Sequence, residues 1–285
     1  MDGNKNKVRN YRSREDSKGK GVGYERRRRD SFKEEREGAS EGIVAGRNAV
    51  RELLRSGRSV DKLFVKGGVR EGSLTVIVAE AISQKIPVVE VTQEKLDSMS
   101  AGTNHQGVVA MAAEKEYTDV DSILAIAAER GEKPLIVIAD GIEDPHNMGA
   151  LIRCAECAGA HGIIIPKRRS VGITPTVSKA SAGALEHMAI AKVANISATI
   201  DELKKKGLWI YAAEAGGSAY YETDFDTAAA IVFGSEGFGV GKAIKEKSDF
   251  IVSIPMYGKV NSLNVSTAAS VVLCHAARMQ RTGNK

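Results

Sequence analysis

Aliphatic positions are almost absent from residues 1–38 and recur with regular spacing from residue 41 onward. A segment so poor in apolar side chains cannot bury enough surface to offset the cost of ordering it. Residues 1–40 are therefore expected to form a disordered tail. Within 41–113 the spacing alternates between helical and extended. Val50, Leu53 and Leu54 share a helical face over 46–54, and Gly57 stops the helix. Strands are expected at 63–65, 88–91 and 107–112, with helices at 74–84 and 92–99. That order describes a small three-layer α/β unit. Residues 114–132 are a charged connector leading into an amphipathic helix.

From residue 133 the pattern is β/α throughout. Short apolar runs at 135–139, 162–165, 188–193, 208–213, 228–233 and 250–254 read as strands. The stretches 147–158, 178–186, 196–206 and 240–247, and the segment from Asn264, read as helices. Continuous apolar runs of this kind suit a parallel sheet covered on both faces. The expected domains are thus a tail at 1–40, a small α/β unit at 41–113, a connector at 114–132 and a parallel-sheet α/β domain at 133–285.

Composition narrows the class. No apolar run reaches the ~18 residues that a membrane-spanning helix needs. The charged N-terminus has no apolar signal core, so a cytoplasmic protein is expected. Three cysteines make no disulfide framework. Cys154 and Cys157 form a single C-x-x-C pair, expected to be small buried thiols rather than metal ligands. Residues 1–38 hold 13 Lys/Arg and 8 Asp/Glu, which leaves 28 against 28 in the remainder. The folded part is not globally basic, so any nucleic-acid surface on it must be a local patch. The tail itself, with Arg26–Arg29 at its densest, would attract RNA phosphate without sequence preference.

Three polar, Gly-containing turns follow strands in the larger unit, where open parallel sheets bind ligands. The first, Asp140 to Arg153, holds Asn147, suited to capping a helix, and Gly149, suited to close backbone approach. Arg153 lies on an otherwise apolar helix, and a buried Arg needs an acidic partner or an anionic ligand. The second, Phe233 to Gly241, has four glycines around Glu236. It fails the dinucleotide motif, which needs Gly where Lys242 stands, and the P-loop, which needs Gly where Glu236 stands. A carboxylate among glycines suits a cationic ligand or one rich in hydroxyl and amine donors. The third turn, Met256 to Leu263, leads into the last helix, and Asn261, Ser262 and Asn264 could bond a ligand or cap that helix.

At these turns the sequence resembles the SpoU-type RNA ribose 2′-O-methyltransferases of the SPOUT superfamily. The residues that carry the resemblance are Asn147-Met-Gly-Ala-Leu-Ile-Arg153, Val232 to Gly239, and Ile254-Pro255 through Ser262 to Ala269. Gly42 to Val50 is similar to the start of the small substrate-binding domain of the TrmH/RlmB subgroup. The similarity is greatest to the RlmB branch, which methylates a guanosine of 23S rRNA. The resemblance implies a C-terminal trefoil knot, S-adenosylmethionine as methyl donor, a homodimer, and a site built from both subunits. It puts Gly234, Ile254, Leu263 and Ser262 on the cofactor. It makes Arg153 the residue that acts on the 2′-hydroxyl, with Asn147, Glu236 and Asn264 positioning it and the ribose. RNA contact is expected from Arg47, the 103–106 loop with His105, and Lys167, Arg168 and Arg169. No metal is implied. The alternatives are a tRNA guanosine methyltransferase, an rRNA methyltransferase conferring antibiotic resistance, or an RNA-binding ribosome assembly factor without activity.

Overall fold

Two sheets carry the chain. The computed structural model describes residues 42–68 and 72–282, so the expected tail lies outside the described residues. The first sheet contains β1 (Ile43–Ala45), β2 (Val60–Lys66), β3 (Val88–Val91) and β4 (Val108–Ala112), in the order β1-β4-β2-β3. Strands β2 and β3 are parallel, and β4 runs antiparallel to both β1 and β2. Helices α1 (Arg47–Arg55) and α2 (Ser73–Ser83) cover one face, where Val50, Leu53 and Ile77 bury against Leu63 and Val65. On the other face Leu96 of α3 (Gln93–Met99) meets Ile43 and Val109. The sequence pattern misses β1, because three consecutive buried residues show no alternation.

After α4 (Val120–Glu129), capped by Asp119, the second sheet begins. Its strands are β5 (Leu135–Asp140), β6 (Gly162–Pro166), β7 (Ile190–Val193), β8 (Trp209–Ala219), β9 (Ala229–Gly234) and β10 (Phe250–Ser253). They run β10-β8-β9-β5-β6-β7, all parallel. The helices are α5 (Pro145–Ala158), α6 (Pro175–Ala180), α7 (Ile196–Lys205), α8 (Lys242–Lys247) and α9 (Val265–Thr282). Leu151, Ile152, Val272 and Leu273, from α5 and α9, pack on one face of the sheet. Ile123, Ile200, Leu203 and Ile244, from α4, α7 and α8, pack on the other. Among the described residues no helix is long and apolar enough to cross a membrane.

Strands β2 and β8 run longer than the sequence reading, β8 to Ala219 rather than 213, and two helices are bounded differently for local reasons. Asp144, not Asn147, caps α5: its Oδ1 accepts from the backbone N–H of His146 at 2.7 Å and of Asn147 at 2.9 Å, with Pro145 opening the helix. The expected helix at 178–186 is instead α6, begun by Thr174 and Pro175, and a 3-10 turn at Ala184–His187. Ala182 and Gly183, at φ 53° and 99°, separate the two.

The sheets meet within one unit, Gly42–Lys285. Arg58 clasps both carboxylate oxygens of Glu186 at 3.0 and 3.1 Å, and Lys115 Nζ donates to the Glu186 carbonyl at 3.1 Å. His187 Nε2 lies 3.2 Å from Glu52 Oε2 on α1.

Candidate active site

Because the large sheet is all parallel, β5, β9 and β10 end on the same edge, at Asp140, Gly234 and Ser253. The turns after β9 and β10 wall a cavity of about 420 Å³, a size suited to a nucleoside-like ligand. Gly234, Ile254, Ser262 and Leu263, the four positions singled out for the cofactor, all line it, as does Glu236.

The walls are held from below. The β8–β10 register jumps between Ile251 and Val252, which face Ala212 and Ser218 respectively. The extra residues of β8 bring Glu214 into the cavity wall. Its Oε2 accepts from the N–H of Val240 at 2.9 Å, while Asp140 Oδ2 accepts from that of Gly241 at 2.9 Å. A Cβ on Gly234 would stand 2.0 Å from the Gly239 carbonyl carbon, so the turn closes only over glycine. Sequence reasoning missed Glu214 and gave Asp140 no role. The adjacent Gly216-Gly217 pair is the signal for the irregularity, since paired glycines in a strand mark a bulge.

Asn264 joins the three turns. Its Nδ2 donates to Asn147 Oδ1 at 2.9 Å and to Glu236 Oε1 at 2.6 Å. Its Oδ1 accepts from Ser266 N at 2.9 Å and Ser266 Oγ at 2.6 Å, capping α9. One amide thus serves ligand-side geometry and helix capping together. Farther along, Ser270 Oγ lies 2.9 Å from Cys154 Sγ, tying α9 to α5.

Other sequence-predicted residues stand elsewhere. Arg153 is exposed on α5, outside the cavity lining, and makes no hydrogen bond or ion pair with the described residues. The expectation that Arg153 is buried, and so in need of an acidic partner or an anionic ligand, is therefore corrected: its side chain is exposed and unpaired among the described residues. His105 is 3% exposed; its Nε2 lies 3.0 Å from Asp97 Oδ1 and 2.9 Å from Gln93 Nε2, and its Nδ1 accepts from Gly107 N at 3.0 Å. The ring braces its loop and presents no face to RNA. Arg47 is held beside that loop, with Nε donating to the Gln106 carbonyl at 3.0 Å. Lys167, Arg168 and Arg169 are exposed after β6. The cysteines are not both buried: Cys154 is half-buried and Cys157 exposed. Desolvation and the Glu156 carboxylate push the Cys157 thiol above its ordinary value, against the pull of Arg153. Among the described residues no group of three or more His, Cys, Asp or Glu could hold a metal ion.

Comparison with known proteins gives this geometry a lineage. A profile described as the SpoU rRNA Methylase family matches residues 134–274, and one described as RNA 2′-O ribose methyltransferase substrate binding matches 43–118. The chain is 43% identical over 236 residues to YacO of Bacillus subtilis (strain 168), a protein named for the TrmH family of tRNA/rRNA methyltransferases. That match covers 82% of this chain and 94% of YacO. In fold it is similar to the SpoU methyltransferase AviRb from Streptomyces viridochromogenes, solved with the cofactor AdoMet. The TM-score is 0.71 at 24% identity, over 87% of this chain and 94% of that one. A crystal structure of an RNA 2′-O ribose methyltransferase superposes with a TM-score of 0.69 at 26% identity, over 84% and 88% of the two chains. The fold and the three-turn site define an RNA methyltransferase. The chain belongs to the SpoU/TrmH family.

Proposed function

We propose that this enzyme methylates a ribose 2′-hydroxyl of RNA with S-adenosylmethionine as donor, and that the substrate is a guanosine of 23S rRNA. The observation that carries the reading is the Asn147–Asn264–Glu236 network at the edge of the cavity. Glu214 and Glu236 are the charged residues in the cavity lining; Glu214 is paired with Lys245 at 3.8 Å, which leaves the Glu236 carboxylate as the charge that suits a sulfonium cation. Gly234, Ile254, Ser262 and Leu263 would hold the cofactor. When bound, it supplies a methyl group already activated by its positive sulfur.

The chain's own task is then to aim and polarise the hydroxyl. Asn264, fixed by two acceptors, orients Asn147 and Glu236 toward the ribose. Fixing reactants in line is worth on the order of 7 kcal/mol in favourable cases. A guanidinium has a pKa above ~12 and makes a poor base. Arg153 therefore stabilises the developing oxyanion and grips the adjacent phosphate. Its exposure away from its own cavity supports a homodimer in which Arg153 of a second copy completes the site. The small sheet is the RNA-binding part, through Arg47, and Lys167–Arg169 after β6 of the large sheet add contacts to the RNA backbone. The C-terminal segment would form a trefoil knot, as the family resemblance implies, bringing the turns after β9 and β10 together around the cofactor.

Tritiated methyl transfer to total RNA from a strain lacking the gene, followed by nuclease mapping, tests the assignment. Label at a ribose of 23S rRNA is expected, and lost with Arg153→Ala while S-adenosylmethionine still binds. Label confined to tRNA, or near-normal turnover by Arg153→Ala, would overturn the substrate or the role of Arg153 respectively.

A further inference from the structure

Among the described residues the three most exposed large apolar side chains are Phe238, Tyr257 and Val260, at 95%, 91% and 72%. All three ride on the turns that wall the cavity. Phe238 lines it, and the other two stand between the lining residues Met256 and Asn261. Single exposed apolar residues need no explanation, but three gathered at one mouth do. The turn bearing Phe238 is pinned rather than loose. Gly239 N donates to the Ser235 carbonyl at 2.9 Å, and the next two N–H groups are held by Glu214 and Asp140. The phenyl ring thus stands in water directly before three hydrogen-bonded N–H groups. The cavity interior already has Phe233, Val252, Ile254 and Val265 to cover an apolar ligand surface. An aromatic face fixed at the entrance of a site that takes RNA suits a nucleobase, because every base has a flat face to stack.

We propose that Phe238 is a stacking platform for an unpaired base of the RNA substrate, either the target nucleotide or its neighbour, with Tyr257 as a second aromatic wall. This rests on the RNA methyltransferase reading and adds a preference: the enzyme takes its nucleotide from a loop or bulge rather than from within a duplex.

The full-length protein, saturated with S-adenosylhomocysteine, is titrated against a fluorescein-labelled single-stranded RNA 12-mer of mixed sequence and against the same strand annealed to its complement. Phe238→Ala is expected to weaken single-strand binding by about 10-fold or more and to leave duplex binding unchanged. Phe238→Trp is expected to retain single-strand affinity. In methyl transfer, Phe238→Ala is expected to raise the KM for RNA more than it lowers kcat. Four results would each overturn the proposal: equal single-strand affinity in wild type and Phe238→Ala, an equal loss on the duplex, weakened cofactor binding, or a changed oligomer mass in the variant. A wild type that binds single strands through Phe238 yet methylates no RNA would remove the activity reading and leave the platform standing.

Discussion

Asn264 does two jobs with one amide, and the jobs can be separated. Serine caps helices as well as asparagine does, but it is too short to reach Asn147 and Glu236. Asn264→Ser is expected to keep thermal stability near that of the wild type while methyl transfer falls about 100-fold, the scale of a lost positioning contact. A melting curve beside a single-turnover assay would check both halves. Glu236 of this network was legible in the sequence, because a carboxylate among glycines has few structural uses; Asn147 and Asn264 read equally well as helix caps, and only the family resemblance gave them a place in the site. Glu214 was not legible, because its place depends on how β8 and β10 slip past one another. Arg153 was misread as buried: the apolar neighbours on its helix face the sheet, and it does not.

Most elements could be placed from periodicity, and the failures were at short or broken ones. The three residues of β1 carry no period, and the positive φ of Ala182 cannot be read from its identity. Gly149 shows what spacing can foresee. It marked a close approach, and the structure supplies the neighbour: a Cβ there would stand 2.4 Å from Ala180 Cβ and 2.8 Å from the Val177 carbonyl oxygen. In an exposed helix Gly→Ala gains about 1 kcal/mol. Here the backbone of α6 blocks the added methyl, and overpacking costs about 1–3 kcal/mol. Gly149→Ala is expected to lower the urea midpoint of unfolding. An unchanged or raised midpoint would mean that α6 yields freely.

At the scale of the whole molecule, the arrangement of the two sheets depends on buried charge. Side-chain exposure is 14% for Arg58 and 1% for Glu186. Burial pushes the Glu186 carboxyl up against the opposing pull of Arg58 and Lys115, and burial pushes Lys115 down. Removing one partner of such a pair leaves the other stranded, at about 3–5 kcal/mol, while replacing both with apolar residues is often neutral. Arg58→Met should therefore destabilise strongly, and replacing all three charges, Arg58→Met with Glu186→Leu and Lys115→Met, should recover most of the loss in chemical denaturation. Nearby, Glu52 loses solvent, which raises its carboxyl, but His187, Arg51 and Arg55 outweigh that and hold it below the usual range. A depressed carboxylate contributes stability above its unfolded pKa of about 4.3. That contribution is lost as pH falls through the folded value. The wild type's thermal advantage over Glu52→Gln is thus expected near neutrality and to fade in acid below about pH 4, as read from melting temperatures across a pH series.

The strand order β10-β8-β9-β5-β6-β7 also sets a clock. Strand β5 pairs on one side with β6, a short way along the chain, but its other neighbour is β9. At a synthesis rate of about 5–20 residues per second, that edge waits on the order of 5–20 s for its partner to be made. Through that interval Leu135-Ile-Val-Ile-Ala139 is an apolar strand with one side unpaired, the kind of segment that pairs with other chains. The seconds between two strands that end up side by side are accordingly where aggregation is expected to compete with folding.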